Sequence, residues 1–394
     1  MAIVSSDPLK QLKERLVQLG AARWHAAGFR GQGVKIAILD SGFRGYRAHL
    51  GQALPAHVAV RSFRKDANLE AKNSQHGILC GEVLHALAPD AELLLANWDA
   101  DQAGEFLEAV RWARAQGARI ISCSLIMPSW SDAEGGGAVH AALAGLLGKG
   151  DGPGDMLCFA SAGNTAQRHW SGQVCPNADG FHQWQAGQIA NELIPWSLEE
   201  ISVELCSCTQ AHYEVIVHDD TTHAVVAFSN GHGGTGCCTL AARFLPISGH
   251  NYSVRVRQRA GSPAFFHIVS LGAWLHHATL KGSIPFPADG PEVIAVGAVD
   301  TTGRRTSYSS CGPNSSRPKP DLVAPVPFPS LWRSRAFSGT SASAPQAAGL
   351  AALLWSRQPG WSAQQIRTAL QSSATDLGPP GHDYETGYGM IRLP

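Results

Sequence analysis

From residue 34 onward the chain passes through a series of short, almost unbroken apolar stretches: VKIAILD (34–40), AELLLANW (91–98), ARIISCSL (118–125), MLCFASAG (156–163) and EVIAVGAVD (292–300). Runs without apolar–polar alternation belong to strands covered on both faces, and therefore to a parallel sheet. Helical patterns lie among them. HGILCGEVLHALA (76–88) separates the first two runs, EFLEAVRWARAQG (105–117) follows the second and AVHAALAGLLG (138–148) follows the third. Strand alternating with helix predicts a doubly wound, mainly parallel α/β architecture with right-handed crossovers. In such sheets the working groups gather at the carboxyl ends of the strands. Ahead of the first run, Leu9, Leu12, Leu16 and Leu19 stand at helical spacing and predict an amphipathic helix within residues 1–33.

Between 169 and 281 the texture changes. FHQWQAG, ISVELCSCTQ, YEVIVHDD, AVVAFSN, NYSVRVRQRA and FFHIVSLG are short, alternating, β-branched or aromatic segments separated by Gly, Asn and Asp. They predict an antiparallel β-sandwich inserted at 169–281 into an α/β domain made of 34–168 and 282–394. Two helices close the chain, and Ser362 with Gln365 forms a capping box for the second.

Composition removes several classes of function. Lys+Arg and Asp+Glu both number 31, so no net charge favours nucleic acid or an anionic membrane surface. Charged residues are 16% and hydrophobic ones 44%, with 42 glycines and 23 prolines, which describes a globular chain with many tight turns. No stretch approaches the ~18 consecutive apolar residues of a membrane span, and MAIVSSDPLKQLKERL has no apolar core of a signal peptide. Of the nine cysteines, Cys80, Cys123, Cys158 and Cys311 read as reduced core residues, whereas Cys206, Cys208, Cys237 and Cys238 cluster as CSC and CC. That cluster reads as one or two disulfides, with zinc as the lesser alternative because C-x₂-C spacing is missing.

Four positions could carry chemistry. Asp40 ends the first apolar run in AILDSGF, where a carboxylate can hold an imidazole in one tautomer. His76 opens a helical pattern in NSQHGILCGEV. Asn164 ends FASAGN, where small residues leave space beside an amide donor. FSGTSASAPQAAGLAALLW (337–355) places Ser338, Ser341 and Ser343 where a Gly-Thr-Ser turn runs into an alanine-rich helix. Singly, each has an ordinary explanation as a turn, cap or packing residue; His85, His140, His169 and His182 have no comparable setting and read as structural.

The order Asp40, His76, Asn164, Ser341 is the order found in subtilisin, and the chain resembles the subtilisin-like serine peptidases. LDSG, HG, SAGN and SGTSASAP match that family's motifs, as do GSIPFPADGPEVIAVGAVD (282–300), YSSCGP…KPDLVAP (308–325) and TGYGMI (386–391). The resemblance covers roughly 34–168 and 282–394. It implies a serine endopeptidase in which Ser341 is the nucleophile, His76 its base, Asp40 the orienting carboxylate, and Asn164 with the Ser341 backbone N–H the oxyanion donors. A polypeptide substrate would pair in extended form along Ser124, Leu125 and Ile126, with Ala162, Gly163 and Thr340 completing the expected binding set.

Departures from the family pattern add expectations. Ile126 and Met127 stand where family members carry glycines, which predicts a narrowed pocket and small residues before the scissile bond. Cys80, one helical turn from His76, predicts sensitivity to mercurials. Only 39 residues precede Asp40, too few for the usual pro-segment, so a processed form or unaided folding is expected. Calcium supports this fold in family members, yet no carboxylate loop assigns ligands and no other cofactor is implied. The acid-acting relatives with a Ser-Glu-Asp set would need Glu at His76 and Asp at Asn164. A catalytically silent scaffold whose β-insert binds a protein or carbohydrate is the reading from another class. A monomer is expected. Paired cysteines and the family's habit favour a secreted or extracytoplasmic protein, against the missing signal peptide.

Overall fold

The computed structural model describes residues 7–209, 211–232 and 238–394. Helices α1 (Pro8–Gln18) and α2 (Ala21–Ala26) precede β1 (Lys35–Leu39), β2 (Val58–Ser62), α3 (His76–Leu87), β3 (Glu92–Asn97), α4 (Ala103–Ala115), β4 (Ile120–Cys123), α5 (Ala138–Leu147) and β5 (Leu157–Ser161). Near the other end come β15 (Ile294–Val299), β16 (Leu322–Pro325), α6 (Thr340–Arg357) and α7 (Ala363–Ser373). Seven strands form one sheet in the order β16-β15-β5-β4-β1-β3-β2, every pair parallel. This is the parallel α/β architecture that the apolar runs predict.

Burial on both faces explains the unbroken apolar runs. In β1, Ile36 and Ile38 join the core under α3 and α6 with Ile78, Leu350 and Trp355. Ala37 and Leu39 point the other way, into the core under α4 and α5 with Phe106, Val110 and Leu143. The sequence pattern missed β2, whose residues VAVRS are mostly exposed at the sheet edge, and it missed the short α2.

The intervening segment contains β6 (His169–Gln173), β7 (Asn191–Pro195), β8 (Ile201–Ser207), β9 (His212–Asp219), β10 (Ala224–His232), β11 (Cys238–Phe244), β12 (Tyr252–Ala260), β13 (Phe265–Leu271) and β14 (Ala273–Leu275). They form two antiparallel sheets, ordered β10-β9-β12-β7-β14 and β11-β8-β13-β6. Val203, Leu205 and Phe266 of the second share a core with Tyr213, Val215 and Val256 of the first. FHQWQAG, expected as a strand, is instead a loop held by isolated bridges at Phe181 and His182. Its alternation arises because His182 and Trp184 pack on Trp170 and Phe266 while their neighbours face outward.

The four-stranded sheet also abuts the loop after β4. There the Ser129 N–H donates to Glu204 Oε2 at 3.0 Å, Cys206 Sγ meets the Ser131 carbonyl at 3.2 Å, and His267 Nε2 lies 3.1 Å from Glu134 Oε1. Contacts on this outer face explain why all seven residues of β8 are buried, whereas β9 alternates. Cys80, Cys123, Cys158 and Cys311 are buried thiols, as expected, and Cys208 is disulfide-bonded. Cys237 and the side chain of Cys238 lie outside the described residues. Among the described residues no helix is long and apolar enough to cross a membrane.

Candidate active site

Asp40 directly follows β1, fully buried at the strand's carboxyl end. Its Oδ1 accepts from the Ser41 backbone N–H at 2.7 Å and from Ser41 Oγ at 3.2 Å. Both carboxylate oxygens also face His76 Nδ1, at 2.9 and 2.8 Å. A carboxylate only accepts, so Nδ1 carries the hydrogen and Nε2 is left as the basic nitrogen.

His76 is the first residue of α3. The glycine after it is required by packing, because a Cβ at Gly77 would lie 2.3 Å from Phe43 Cε1. The imidazole meets the Phe337 ring edge-on at 5.7 Å, with 28% of its side chain left exposed. Burial pushes the imidazole pKa down, but the charge of Asp40 and its hydrogen bond outweigh it and leave it well above 6.5.

Ser341 stands in the first turn of α6, where the leading backbone N–H groups lack intrahelical acceptors. Its Oγ donates to the Ser124 carbonyl at 3.2 Å, and its own carbonyl accepts from Ser124 Oγ at 3.1 Å. The loop after β4 is thereby tied to the start of α6. Cys80 sits where these groups converge: its Sγ is 3.6 Å from Asp40 Oδ2, 4.0 Å from His76 Nδ1 and 3.8 Å from the Ser341 carbonyl. The structure thus gathers Asp40, His76 and Ser341 around one sulfur. Burial raises the Cys80 thiol above 9.0, so it stays protonated.

Asn164, after β5, accepts at Oδ1 from both the backbone N–H and Oγ1 of Thr340, each at 3.0 Å. That fixes the amide and turns Nδ2 toward Gly339, where a Cβ would come within 3.2 Å of it. Gly339 has φ +87°, a backbone that also favours glycine. The expected binding residues fall in two groups. Ser124, Leu125 and Ile126 follow β4, with the last two half-buried, while Ala162 is buried and Gly163 has φ +98° at the end of β5. Thr340 is fully buried, with its donors on Asn164, so it positions that amide. The Met127 side chain packs into the core beneath α4 and α5.

Two features escaped the sequence reading. Arg168 Nε donates to the Asn164 carbonyl at 2.7 Å, bracing the loop. His140, read as merely structural, is 3% exposed between Asp289 Oδ1 at 2.9 Å and Glu292 Oε1 at 2.7 Å. No local signal marks either the Thr340–Asn164 or the His140–Asp289 pair, because the partners are 176 and 149 residues apart.

Among the described residues the one group of three potential metal ligands is Asp40, His76 and Cys80. One carboxylate with a nitrogen and a sulfur does not fit calcium, which takes six to eight oxygens.

The subtilase family model matches residues 31–188 and 247–389, and the chain belongs to the subtilase family. It is 38% identical to subtilisin DY of Bacillus licheniformis over 113 residues, 29% of this chain and 40% of that protein. With subtilisin Savinase of Lederbergia lenta it shares 32% over 165 residues, 38% of this chain and 59% of that one. These alignments span less than two thirds of either relative. In structure it is similar to the CspB protease of Clostridium perfringens, with TM-score 0.66 and 14% identity over 94% of this chain and 95% of that one.

Proposed function

We propose that the chain is a serine endopeptidase that cleaves polypeptides through Ser341, His76 and Asp40. The observation that carries this is the pair of Asp40 oxygens on His76 Nδ1, beside a serine in the first turn of a helix and with Cys80 touching all three. Ser341 Oγ turns from the Ser124 carbonyl, gives its proton to His76 Nε2 and attacks the substrate carbonyl carbon. Asp40 stabilises the imidazolium without taking its proton. The oxyanion is held by Asn164 Nδ2 and the Ser341 backbone N–H. His76 then protonates the leaving amine, and a water activated by the same imidazole hydrolyses the acyl-enzyme.

Protonated imidazole cannot act as base. Because the His76 pKa lies above 6.5, kcat/KM falls on acidification from a point above that value. The segment before the scissile bond pairs along 124–126 and 162–163, and the half-buried Ile126 narrows the pocket so that small residues are preferred there. The two antiparallel sheets form an inserted β-sandwich domain, and the Cys208 disulfide supports an extracytoplasmic site of action.

A peptide library digested by the wild-type protein and by S341A tests this reading. Cleavage after Ala about tenfold faster than after Phe, absent in S341A, is expected; undiminished cleavage by S341A would overturn it, and equal rates after Ala and Phe would remove the pocket argument.

A further inference from the structure

On the outer face of the five-stranded sheet, at the β14 edge, Ile194 and Trp274 pair across β7 and β14. Together with Trp196 and Leu198 they form an exposed apolar patch, the four side chains being 41%, 43%, 43% and 63% exposed. Contiguous apolar surface of this kind marks a binding face rather than scattered exposure. The two indoles meet edge-to-face at 5.2 Å between centroids, and the Arg168 guanidinium lies over Trp196 at 5.1 Å. This is the same arginine whose Nε holds the Asn164 carbonyl.

The patch is therefore continuous with the proposed oxyanion loop, one guanidinium away from it. Its side of the cleft follows from the neighbours. The segment before the scissile bond is assigned to 124–126 and 162–163. On the other side of Asn164 lie Ala166, whose N–H donates to the Tyr308 carbonyl at 3.4 Å, and Ser338, whose Oγ is 3.3 Å from Tyr308 Oη. Arg168 belongs to the same loop as Ala166, holds the Asn164 carbonyl and carries Trp196 on its guanidinium. Contacts of 2.7, 5.1 and 5.2 Å link Asn164, Arg168, Trp196 and Trp274 in turn, so an unbroken chain of contacts joins the patch to the Asn164 loop.

We propose that Trp196 and Trp274, with Ile194 and Leu198, form a subsite for a large apolar side chain of the polypeptide substrate, about two to four residues after the scissile bond. An apolar occupant fits better than an acidic one, because the exposed Glu192 lies two residues from Ile194 on the same face of β7 and exposed Glu199 and Glu200 follow Leu198. The inference rests on the endopeptidase reading. It makes the β segment part of substrate recognition, a role that the triad alone does not require.

Two quenched peptides, identical up to the scissile bond and carrying either Leu-Phe or Gly-Ser at the third and fourth positions after it, are compared with a short amide ending at that bond. The wild-type protein is expected to favour the Leu-Phe peptide about tenfold in kcat/KM. W196A/W274A should lose this preference, its kcat/KM falling about tenfold more on the Leu-Phe peptide than on the short amide. Binding of the Leu-Phe peptide to S341A, weakened about tenfold in S341A/W196A/W274A, gives a second readout independent of turnover. A preference that survives in the double variant, or rates that fall equally on all three substrates, would overturn the subsite. Failure of the wild-type protein to cleave even the short amide would instead strike the endopeptidase reading on which it rests.

Discussion

The parallel sheet and the antiparallel segment use apolar residues in opposite ways. Across most of the parallel sheet both faces are covered, so strands read as nearly unbroken runs, and the candidate groups sit where strands end: Asp40 after β1, Ser124 after β4, Asn164 after β5. The antiparallel strands keep one face for their own core and offer the other to solvent or to the neighbouring body. Chemistry therefore collects at one edge of the first region, while the second offers surface. The comparison teaches that the two regions should fail separately under mutation.

The largest separation is expected from D40N. Loss of the carboxylate that fixes the His76 tautomer should lower kcat by about 10⁴-fold, with the unfolding midpoint of the β segment unmoved; a drop below tenfold would show that the pair does not organise the base. In the other direction, Phe266 is fully buried against Trp170, His182 and Tyr213. F266A should destabilise the segment by about 3–5 kcal/mol in denaturant titration while the short amide is still cleaved. Simultaneous loss of both would show that the two regions fold as one unit.

A mercurial on Cys80, at 3.6 Å from Asp40 Oδ2, should slow hydrolysis several-fold, and C80A should abolish that sensitivity. Equal inhibition of C80A would place the reactive thiol elsewhere, for instance at the exposed Cys175.

The smallest effect concerns a junction beside the parallel sheet. Burial lowers the His140 pKa, but hydrogen bonds and charge from Asp289 and Glu292 more than reverse this and raise it to about 9. A raised folded pKa contributes stability that is complete below pH 6.5 and lost as pH rises through about 9. Unfolding midpoints of the wild-type protein should fall across that window, and H140Q should flatten the dependence. An unchanged slope in H140Q would assign the loss to other groups.

Legibility in the sequence followed the same division. Strands β1, β3, β4, β5 and β15 were readable because two-sided burial leaves no polar interruption, while β2 was not, its edge position exposing Ala59, Val60 and Arg61. In the antiparallel segment the alternation that identified β9 and β12 also produced a false strand at 181–187, where a loop packs every second side chain on Phe266 and Trp170. The places of Asp40, His76, Asn164 and Ser341 in the fold were legible because each sits in a short motif at an element end. The Thr340–Asn164 hydrogen bonds were not readable, because nothing local records a contact made across 176 residues. His140 and the Trp196–Trp274 pair were invisible for the same reason, whereas Arg168 reaches Asn164 across only four residues but lies in no motif that marks it.

Reaction of the wild-type protein with a fluorophosphonate, followed by peptide mapping, tests the central claim most directly. One adduct per chain on Ser341, absent in S341A and formed at least a hundredfold more slowly in H76A, is the predicted result. An adduct on another residue, or equal labelling of Ser341 in H76A, would contradict it.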